Sequence, residues 1–220
     1  MTAASGRVRV LALAGSAILV VIIVVLLVLL GTGGSSHGRR AQRSLGAQAH
    51  GGVAPPGFTT FSDTTVGFSI AYPSSWAREG SRDTGVPLLA KSRDGAQALL
   101  VRVTPRLGLS VPKVTLKGLP ALRPLTDRLV HADPRARLLL RPAEVQVGGL
   151  PGWVYIYDQV GGAPSSRVAH IQYFLFSGTT LITLVFQAAR ADRLVADAPV
   201  FGRIAKTFKR MPPASPAVHG

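Results

Sequence analysis

The side chains that could carry chemistry in this chain are serine, histidine and aspartate, because its 220 residues include no cysteine. A serine hydrolase needs a nucleophile with a histidine base and a carboxylate, and one common form presents the serine as Gly-x-Ser-x-Gly. No such turn occurs. Ser75, His131 or His170, and Asp158 can be combined into a triad on paper, but any domain of this size offers such combinations. The sequence therefore predicts no catalytic residue, and a hydrolase ranks last among the functions considered.

Metal and cofactor sites are not indicated either. The histidines stand alone at positions 37, 50, 131, 170 and 219, with no His-x-x-x-His pair, and the carboxylates are scattered with no Asp-x-Asp loop. The glycine-rich stretches at 31–34 and 161–162 lack the lysine of a phosphate-binding loop. We expect no cofactor, a hydrogen-bonded strand position for His170, and a helix-capping role for His131.

One aromatic stripe is the candidate for ligand binding. Trp153, Tyr155 and Tyr157 alternate along a predicted strand, so their side chains share one face. Packing against a helix is the stronger interpretation of the stripe. A groove beside it is the alternative.

The elements that must position these residues are alternating strands and two helices. The apolar runs and their turns predict strands at Phe58–Phe61, Phe68–Tyr72, Pro87–Ser92, Ala96–Thr104, Ala136–Val147, Gly152–Gln159, Arg167–Ser177 and Thr179–Ala188. Asp94-Gly95 and Gly148-Gly149 are expected to form hairpin turns. The last two strands are apolar on both faces, which indicates that both faces are covered.

Two helices are expected to cover this sheet. The first runs from about Leu116 to His131, with one stripe at positions 122, 125 and 129, and Pro120 and Pro124 restrict its regular part to the later turns. The second begins at Asp192 and carries apolar residues at 195, 201, 204 and 208, and Pro199 is expected to offset or break it. The predicted class is α+β, an α/β/α sandwich with a mostly antiparallel central sheet.

The segment Val66-Gly67-Phe68-Ser69-Ile70-Ala71-Tyr72-Pro73-Ser74-Ser75-Trp76 resembles the opening Gly-Phe-x-Ile-x-Tyr-Pro-x-x-Trp of the PsbP-like superfamily. The resemblance extends through Gly149–Tyr155 and the strand pair ending at Phe186, and it covers roughly 58–208. It implies an α/β/α sandwich and a binding or assembly role without catalysis, and it supplies no site residue.

Within that superfamily the chain looks most similar to actinobacterial cell-envelope members of the LpqN type. Those proteins are anchored through a lipidated cysteine, which this chain lacks. Twenty arginines against five lysines, with abundant Ala, Gly, Pro and Val, also suggest a GC-rich genome such as that of an actinobacterium.

The anchor predicted here is a helix at residues 10–30. These 21 residues hold no charge and no strong polar group, and at ~1.5 Å per residue they match a hydrocarbon core of ~30 Å. A signal peptide has a shorter apolar region and a small-x-small cleavage site. An uncleaved signal anchor is therefore favoured, with cleavage as the alternative.

The predicted organisation is a head at 1–9, the single-pass membrane span at 10–30, a flexible tether at 31–57, the folded domain at 58–210 and a disordered tail at 211–220. Arginines flank the span on both sides, so the positive-inside rule does not decide its orientation. We expect the domain outside the cytoplasm, because a short head with one following domain usually exports that domain.

Charge limits the partners that this domain would meet. The net charge is +15, and residues 58–210 hold 20 cationic against 10 acidic side chains, or +10. Such a domain near a membrane is drawn to anionic lipids or anionic wall polymers, although dispersed arginine for solubility explains the same count. Another envelope protein is a third partner class, and nucleic acid is disfavoured for an outward-facing domain. The sequence predicts a non-catalytic binding or scaffolding domain, with a small-molecule or lipid carrier as the alternative.

Overall fold

The computed structural model describes residues 54–105, 107, 114–160 and 167–211. The predicted span at 10–30, most of the tether and nearly all of the tail lie outside these residues. No helix of the described part is long and apolar enough to span a bilayer. The strands are Phe58–Asp63 (β1), Phe68–Pro73 (β2), Ala77–Glu79 (β3), Leu88–Lys91 (β4), Gln97–Thr104 (β5), Ala136–Leu138 (β6), Ala143–Val147 (β7), Leu150–Gln159 (β8), Val168–Ser177 (β9), Thr180–Ala188 (β10) and Lys209–Arg210 (β11).

The strands form two antiparallel sheets. The larger has the order β3-β4-β5-β10-β9-β8-β6, and β7 also pairs with β8. The smaller has the order β1-β2-β11, so the opening strand pair is separate from the central sheet predicted from the sequence. Every observed pairing is antiparallel, which confirms the mostly antiparallel character of the prediction.

The predicted hairpin turns use glycine in the left-handed region. Gly95 has φ +67° between β4 and β5, and Gly148 and Gly149 have φ +57° and +79° between β7 and β8. A residue with a Cβ rarely adopts these angles. Asp94-Gly95 and Gly148-Gly149 therefore form turns, as predicted, because glycine can adopt the positive φ that these turns need.

The first helical segment confirms the predicted boundaries and part of the predicted stripe. A 3₁₀ turn at Leu116–Leu122 leads into an α-helix at Arg123–His131 (α1), with Pro124 in its first turn, where the missing N–H costs little. Position 122 is buried and position 125 packs partly against the core, as expected. The prediction is wrong at Leu129, which is 45% exposed. The buried residues of α1 are Thr126 and Val130, because its inner side continues from position 122 at four-residue spacing.

The second helix is continuous across its proline. It spans Leu194–Thr207 (α2) after a short 3₁₀ turn at Ala191–Arg193, and Pro199 lies exposed within it. The expected break is wrong, because Pro199 and the residue four positions before it both lie on the solvent side, where water can satisfy the freed carbonyl. Val195 is 37% exposed and not part of the core, while Phe208 is buried just after the helix ends.

One predicted strand is divided in two. The range Ala136–Val147 contains β6 and β7, both paired with β8, separated by a bend at 139–142. Pro142 lies in this bend and has no N–H to donate to the ladder. The very short strands β3 and β11 were not predicted from the sequence.

One helix lies on each face of the large sheet. The first core joins α1 and the preceding turn to one face, and its buried members are Val114, Leu119, Leu122, Val130, Trp153, Tyr155, Tyr157, Phe174, Phe176 and Leu181. On the other face, Phe201 of α2 packs against Phe186 of β10 with ring centroids 5.3 Å apart. The paired registers place Phe174 and Phe186 on opposite faces, as expected from their alternation.

A side-chain hydroxyl at the end of α2 bonds to the small sheet. Phe68, Ile70 and Tyr72 of β2 point into the core, and Phe68 stacks on Phe208 at 5.8 Å. The Thr207 Oγ1 accepts a hydrogen bond from the Ala71 amide at 2.8 Å. This hydroxyl also lies 2.6 Å from the carbonyl oxygen of residue 204, one turn earlier in α2. The end of α2, together with β11, therefore completes the open edge of β2.

Candidate functional site

The aromatic stripe of β8 lies in the core beneath α1. Trp153, Tyr155 and Tyr157 share one face of the sheet, as the sequence predicts, and are 5%, 0% and 7% exposed. Each ring also carries a polar atom, which must find a partner when buried. Trp153 and Tyr155 bond to the helical segment above the sheet, whereas Tyr157 bonds to the sheet itself.

Trp153 is fixed by the 3₁₀ turn before α1. Its indole Nε1 donates a hydrogen bond to the Leu119 carbonyl at 3.1 Å. The Arg123 guanidinium carbon lies 5.5 Å from the ring centroid, within the range of a cation–π contact. Both contacts attach the start of the helix to the sheet.

Tyr155 holds the middle of α1 through a small polar network. Its hydroxyl donates to Asp127 Oδ1 at 2.6 Å and lies 2.7 Å from Thr126 Oγ1. Asp127 is also 3.5 Å from the Arg123 guanidinium, one helical turn earlier. Burial and the adjacent carboxylate raise the pKa of Tyr155 well above its usual range, so the phenol stays protonated and remains a donor. The arrangement fixes the helix position.

Tyr157 lies where the helical cover ends. Its hydroxyl donates to Gln172 Oε1 on β9 at 2.6 Å, and its ring stacks on His170 with centroids 4.9 Å apart. Burial, with a smaller effect of Asp133, raises the pKa of Tyr157 to about 12. This end of the stripe thus contacts polar side chains of the sheet itself.

His170 is the unusual residue of this end. It is 6% exposed, and neither ring nitrogen has a hydrogen-bond partner. Burial lowers the pKa of His170 to about 4, against a smaller opposing effect of Asp133, so the ring is neutral at pH 7. The expected hydrogen-bonded strand position is half right: the residue is in β9, but its ring is held by stacking.

The sheet face beyond His170 is only partly covered. Gln187 of β10 lies opposite His170, and Val185 lies opposite Gln172, and both are half-buried. On β5, Leu100 lies next to Val185 and is also half-buried. We call Tyr157, His170, Gln172 and Gln187 the polar end of the stripe. It is the part of the predicted site where polar atoms and partial exposure coincide.

The triad considered from the sequence is not assembled. Asp158 lies on the opposite sheet face from His170, because Tyr157 is the residue paired with His170. Its carboxylate is 2% exposed and accepts two hydrogen bonds from Arg137, at 3.1 and 2.8 Å. Ser75 is exposed in a turn, and His131 is exposed at the end of α1. Asp158 is therefore part of an ion pair at β6 and β8.

Among the described residues, His, Asp and Glu side chains do not gather in groups of three that could hold a metal ion. The buried acids have other neighbours. Asp197 of α2 accepts a hydrogen bond from Gln97 Nε2 at 2.7 Å and lies 3.7 Å from Arg193. The contact with Gln97 joins α2 to β5.

Sequence reasoning missed two features. Thr126 and Asp127 were not singled out, although a threonine and an aspartate facing a tyrosine-bearing strand could have indicated a hydrogen-bonded contact. A run of exposed cations was counted only in the total charge, and its members are Arg203, Lys206, Lys209 and Arg210. The sequence could have indicated this cluster, because residues 198–220 contain these four cations and no acidic residue.

Several solved structures resemble the described fold. Cyanobacterial PsbP (CyanoP) from Synechocystis sp. PCC 6803 is 19% identical, with 74% of this chain and 98% of that chain covered and a TM-score of 0.53. LpqN of Mycobacterium tuberculosis, involved in cell envelope biogenesis, is 11% identical over 74% and 88% of the two chains, with a TM-score of 0.48. The Saccharomyces cerevisiae Ran-binding protein Mog1p is 10% identical over 70% and 95%, with a TM-score of 0.47.

Neither a family model nor a curated protein matches the sequence. The likeness to CyanoP extends over nearly the whole of that chain. It agrees with the Gly-Phe-x-Ile-x-Tyr-Pro-x-x-Trp segment, in which Phe68, Ile70 and Tyr72 form the buried side of β2. The domain therefore has the PsbP-like fold that this segment predicted.

Proposed function

We propose that this chain is a membrane-anchored, extracytoplasmic binding domain of the cell envelope, without catalytic activity. The observation that carries the proposal is the uncharged segment at 10–30 in the same chain as a separately folded PsbP-like domain. An uncharged stretch of 21 residues favours a bilayer over water by several kcal/mol on an insertion scale, roughly −0.3 to −0.6 kcal/mol for each Leu, Ile, Val or Phe.

Binding is favoured over catalysis because two acids that catalysis could use, Asp127 and Asp158, have structural partners. Tyr155 and Asp127 bond to each other, and Asp158 is held by Arg137. His170 would need a carboxylate or a nucleophile within hydrogen-bond reach to act as a general base, and its neighbour is instead the stacked ring of Tyr157. A neutral base with a pKa of about 4 also has little driving force for proton abstraction at pH 7.

The first test is topology. A C-terminal tag on the full chain is exposed to protease in intact cells and, separately, in lysed cells. Cleavage in intact cells supports an external domain, and the search for partners then belongs among lipids, wall polymers and exported proteins. Protection until lysis would refute the extracytoplasmic location.

A small-molecule or lipid carrier is the second candidate, favoured by one observation. Both nitrogens of His170 are buried without partners, and each such group costs about 1–3 kcal/mol when left unsatisfied. A ligand reaching the polar end of the stripe would satisfy them. Native mass spectrometry of the purified full chain tests this, with His170→Phe as the variant. A bound species that is present with the original chain and absent with the variant supports a carrier. If both preparations show only the mass of the protein, with no bound species, the carrier is contradicted.

A further inference from the structure

Four exposed cations lie close together in the chain at the end of the domain, and the side chains of Lys209 and Arg210 leave opposite faces of the small sheet. Arg203 and Lys206 lie one turn apart on α2, and Lys209 and Arg210 form β11 directly after it. We call these four residues the C-terminal basic patch. Within the described residues, none of them lies within 4 Å of a carboxylate.

Elsewhere on the described surface, several acidic side chains form ion pairs with cations. Such pairs include Glu79–Lys91, Asp83–Arg102, Asp133–Arg135 and Arg190–Asp192. The patch differs because Asp197 is the last acidic residue of the chain.

Asp63 is the acid placed nearest to the patch in the small sheet. Its partner Phe68 on β2 is also the partner of Arg210. The Asp63 carboxylate accepts hydrogen bonds from the amides of Thr65 and Val66 in the turn that follows, at 2.9 and 3.0 Å. This hydrogen bonding fixes the carboxylate in its own turn, and among the described residues it forms no ion pair with the four cations of the patch.

The patch lies where the chain enters the domain. The Arg203 guanidinium carbon is 5.9 Å from the ring centroid of Phe58, the first residue of β1. Lys209 pairs with Ser69 of β2, and Ser69 also pairs with Ser62 of β1. The first 62 residues contain no acid, and three arginines at positions 39, 40 and 43 lie between the predicted span and the domain. The segment that leads into the domain and the surface beside Phe58 are thus both basic.

We infer that the C-terminal basic patch docks on anionic phospholipid headgroups of the bilayer that holds the anchor. This inference rests on the proposed function, which leaves 27 residues between the span and Phe58. Even fully extended, 27 residues reach only about 95 Å, so the tether limits the domain to that distance from the bilayer. All four side chains are exposed, so separate phosphate headgroups can reach them, which one enclosed ligand could not do.

The expected strength follows from the charge. A Lys or Arg near an anionic membrane surface contributes about 1 kcal/mol, which is roughly fivefold in the ratio of docked to undocked domain. Four such residues are expected to change this ratio by well over tenfold. The attraction extends about one Debye length, ~8 Å at physiological ionic strength, so it should be lost at high salt.

The test uses the full chain in lipid nanodiscs, either of neutral phosphatidylcholine or with ~30% phosphatidylglycerol, a fraction chosen because attraction scales with anionic lipid. The chain has no cysteine, so Thr60→Cys gives one labelling site on the exposed side of β1, two residues from Phe58. A fluorophore at this site reports docking through quenching by spin-labelled headgroups. We expect strong quenching only with phosphatidylglycerol, reversed by ~0.5 M salt at a Debye length of about 4 Å.

The patch variant replaces all four cations with glutamine (R203Q, K206Q, K209Q and R210Q). The matched control removes the same charge from four other exposed arginines that have no ion pair among the described residues (R82Q, R93Q, R128Q and R141Q). We expect the patch variant to lose at least about tenfold in the docked ratio and the control to change less than about threefold, with unchanged circular dichroism in both.

Four outcomes would contradict the inference in different ways. Equal quenching in neutral and anionic discs, or equal loss in both variants, overturns the docking while leaving the anchor intact. Release from anionic lipid combined with retention by an anionic wall polymer assigns the patch to the polymer and also overturns it. A chain that does not remain with either disc refutes the anchor itself, and with it the proposed function.

Discussion

Removal of one phenolic oxygen tests whether the aromatic stripe holds α1 on the sheet. In Tyr155→Phe the buried ring and its packing remain, and only the hydroxyl is lost. That hydroxyl donates to the carboxylate of Asp127 at 2.6 Å and lies 2.7 Å from the hydroxyl of Thr126. Thr126 keeps an acceptor in the carbonyl of Arg123 at 3.0 Å, so the substitution leaves no orphaned donor there.

The magnitude follows from these contacts. A hydrogen bond to a charged group contributes about 1.5–3 kcal/mol, and Asp127 can be rehydrated because its side chain is 35% exposed. We therefore expect Tyr155→Phe to lower the free energy of unfolding by about 2 kcal/mol. Tyr157→Phe is the matched control: it removes a hydroxyl bonded to the neutral amide of Gln172, and should cost about 1 kcal/mol.

The assay is urea denaturation of the full chain in detergent micelles. Fluorescence follows Trp76 and Trp153, both of which are buried. A double-mutant cycle of Tyr155→Phe with Asp127→Ala should give a coupling energy of about 1–2 kcal/mol, since the two residues touch. Coupling below about 0.5 kcal/mol, or equal costs for the two tyrosines, would refute the view that this network fixes the helix.

The remaining predictions concern other contacts of the fold. Thr207→Val should cost about 1–3 kcal/mol of unfolding free energy, because it leaves the Ala71 amide without an acceptor, and Thr207→Ser should restore most of it in the same urea assay. Gly152→Ala should lower the free energy of unfolding by more than about 3 kcal/mol, because the added Cβ would overlap the Phe174 carbonyl. Gly80→Ala places its Cβ in open space and should change that free energy by less than about 1 kcal/mol, and thermal unfolding of both variants tests the difference. The pKa of His170 is lowered to about 4 from 6.5, so between these pH values the native state binds fewer protons than the unfolded state. The free energy of unfolding should therefore fall by up to about 3 kcal/mol as the pH drops from 6.5 to 4. His170→Gln should flatten that part of a pH series of unfolding curves, and an unchanged slope would contradict the shift.

Most of the strand pattern could be predicted from local sequence, because alternation and turn chemistry are local signals. Gly95 and Gly148 have the positive φ that their turns require, and the alternation in β9 and β10 assigned the two faces correctly. Whether a proline interrupts a strand or a helix depends instead on the residues that surround it in the folded chain. Pro142 could have divided its strand or ended it, and Pro199 could have broken its helix, and only tertiary packing decides between these outcomes.

The candidate site was predictable in position but not in character. The spacing of Trp153, Tyr155 and Tyr157 indicated one shared face, yet which end would carry unsatisfied polar atoms depended on strand register. His170 became the stacking partner of Tyr157 because β8 and β9 pair with that register. No periodicity in the sequence contains this information. A role of Trp153, Tyr155 and Tyr157 in ligand binding stays a prediction.

The long-range contacts of residues 207–210 also bear on when the domain can finish folding. The hydroxyl of Thr207 bonds to Ala71 across 136 residues of sequence, and β11 adds to β2 from nearly the same distance. Such a contact closes a very long loop, which slows folding relative to local pairing. Until residues 207–210 have left the ribosome, β2 has an open edge and the ring of Phe68 lacks its stacking partner. The last few residues of the domain therefore act as its closing step, and a growing chain cannot complete the small sheet before they are available.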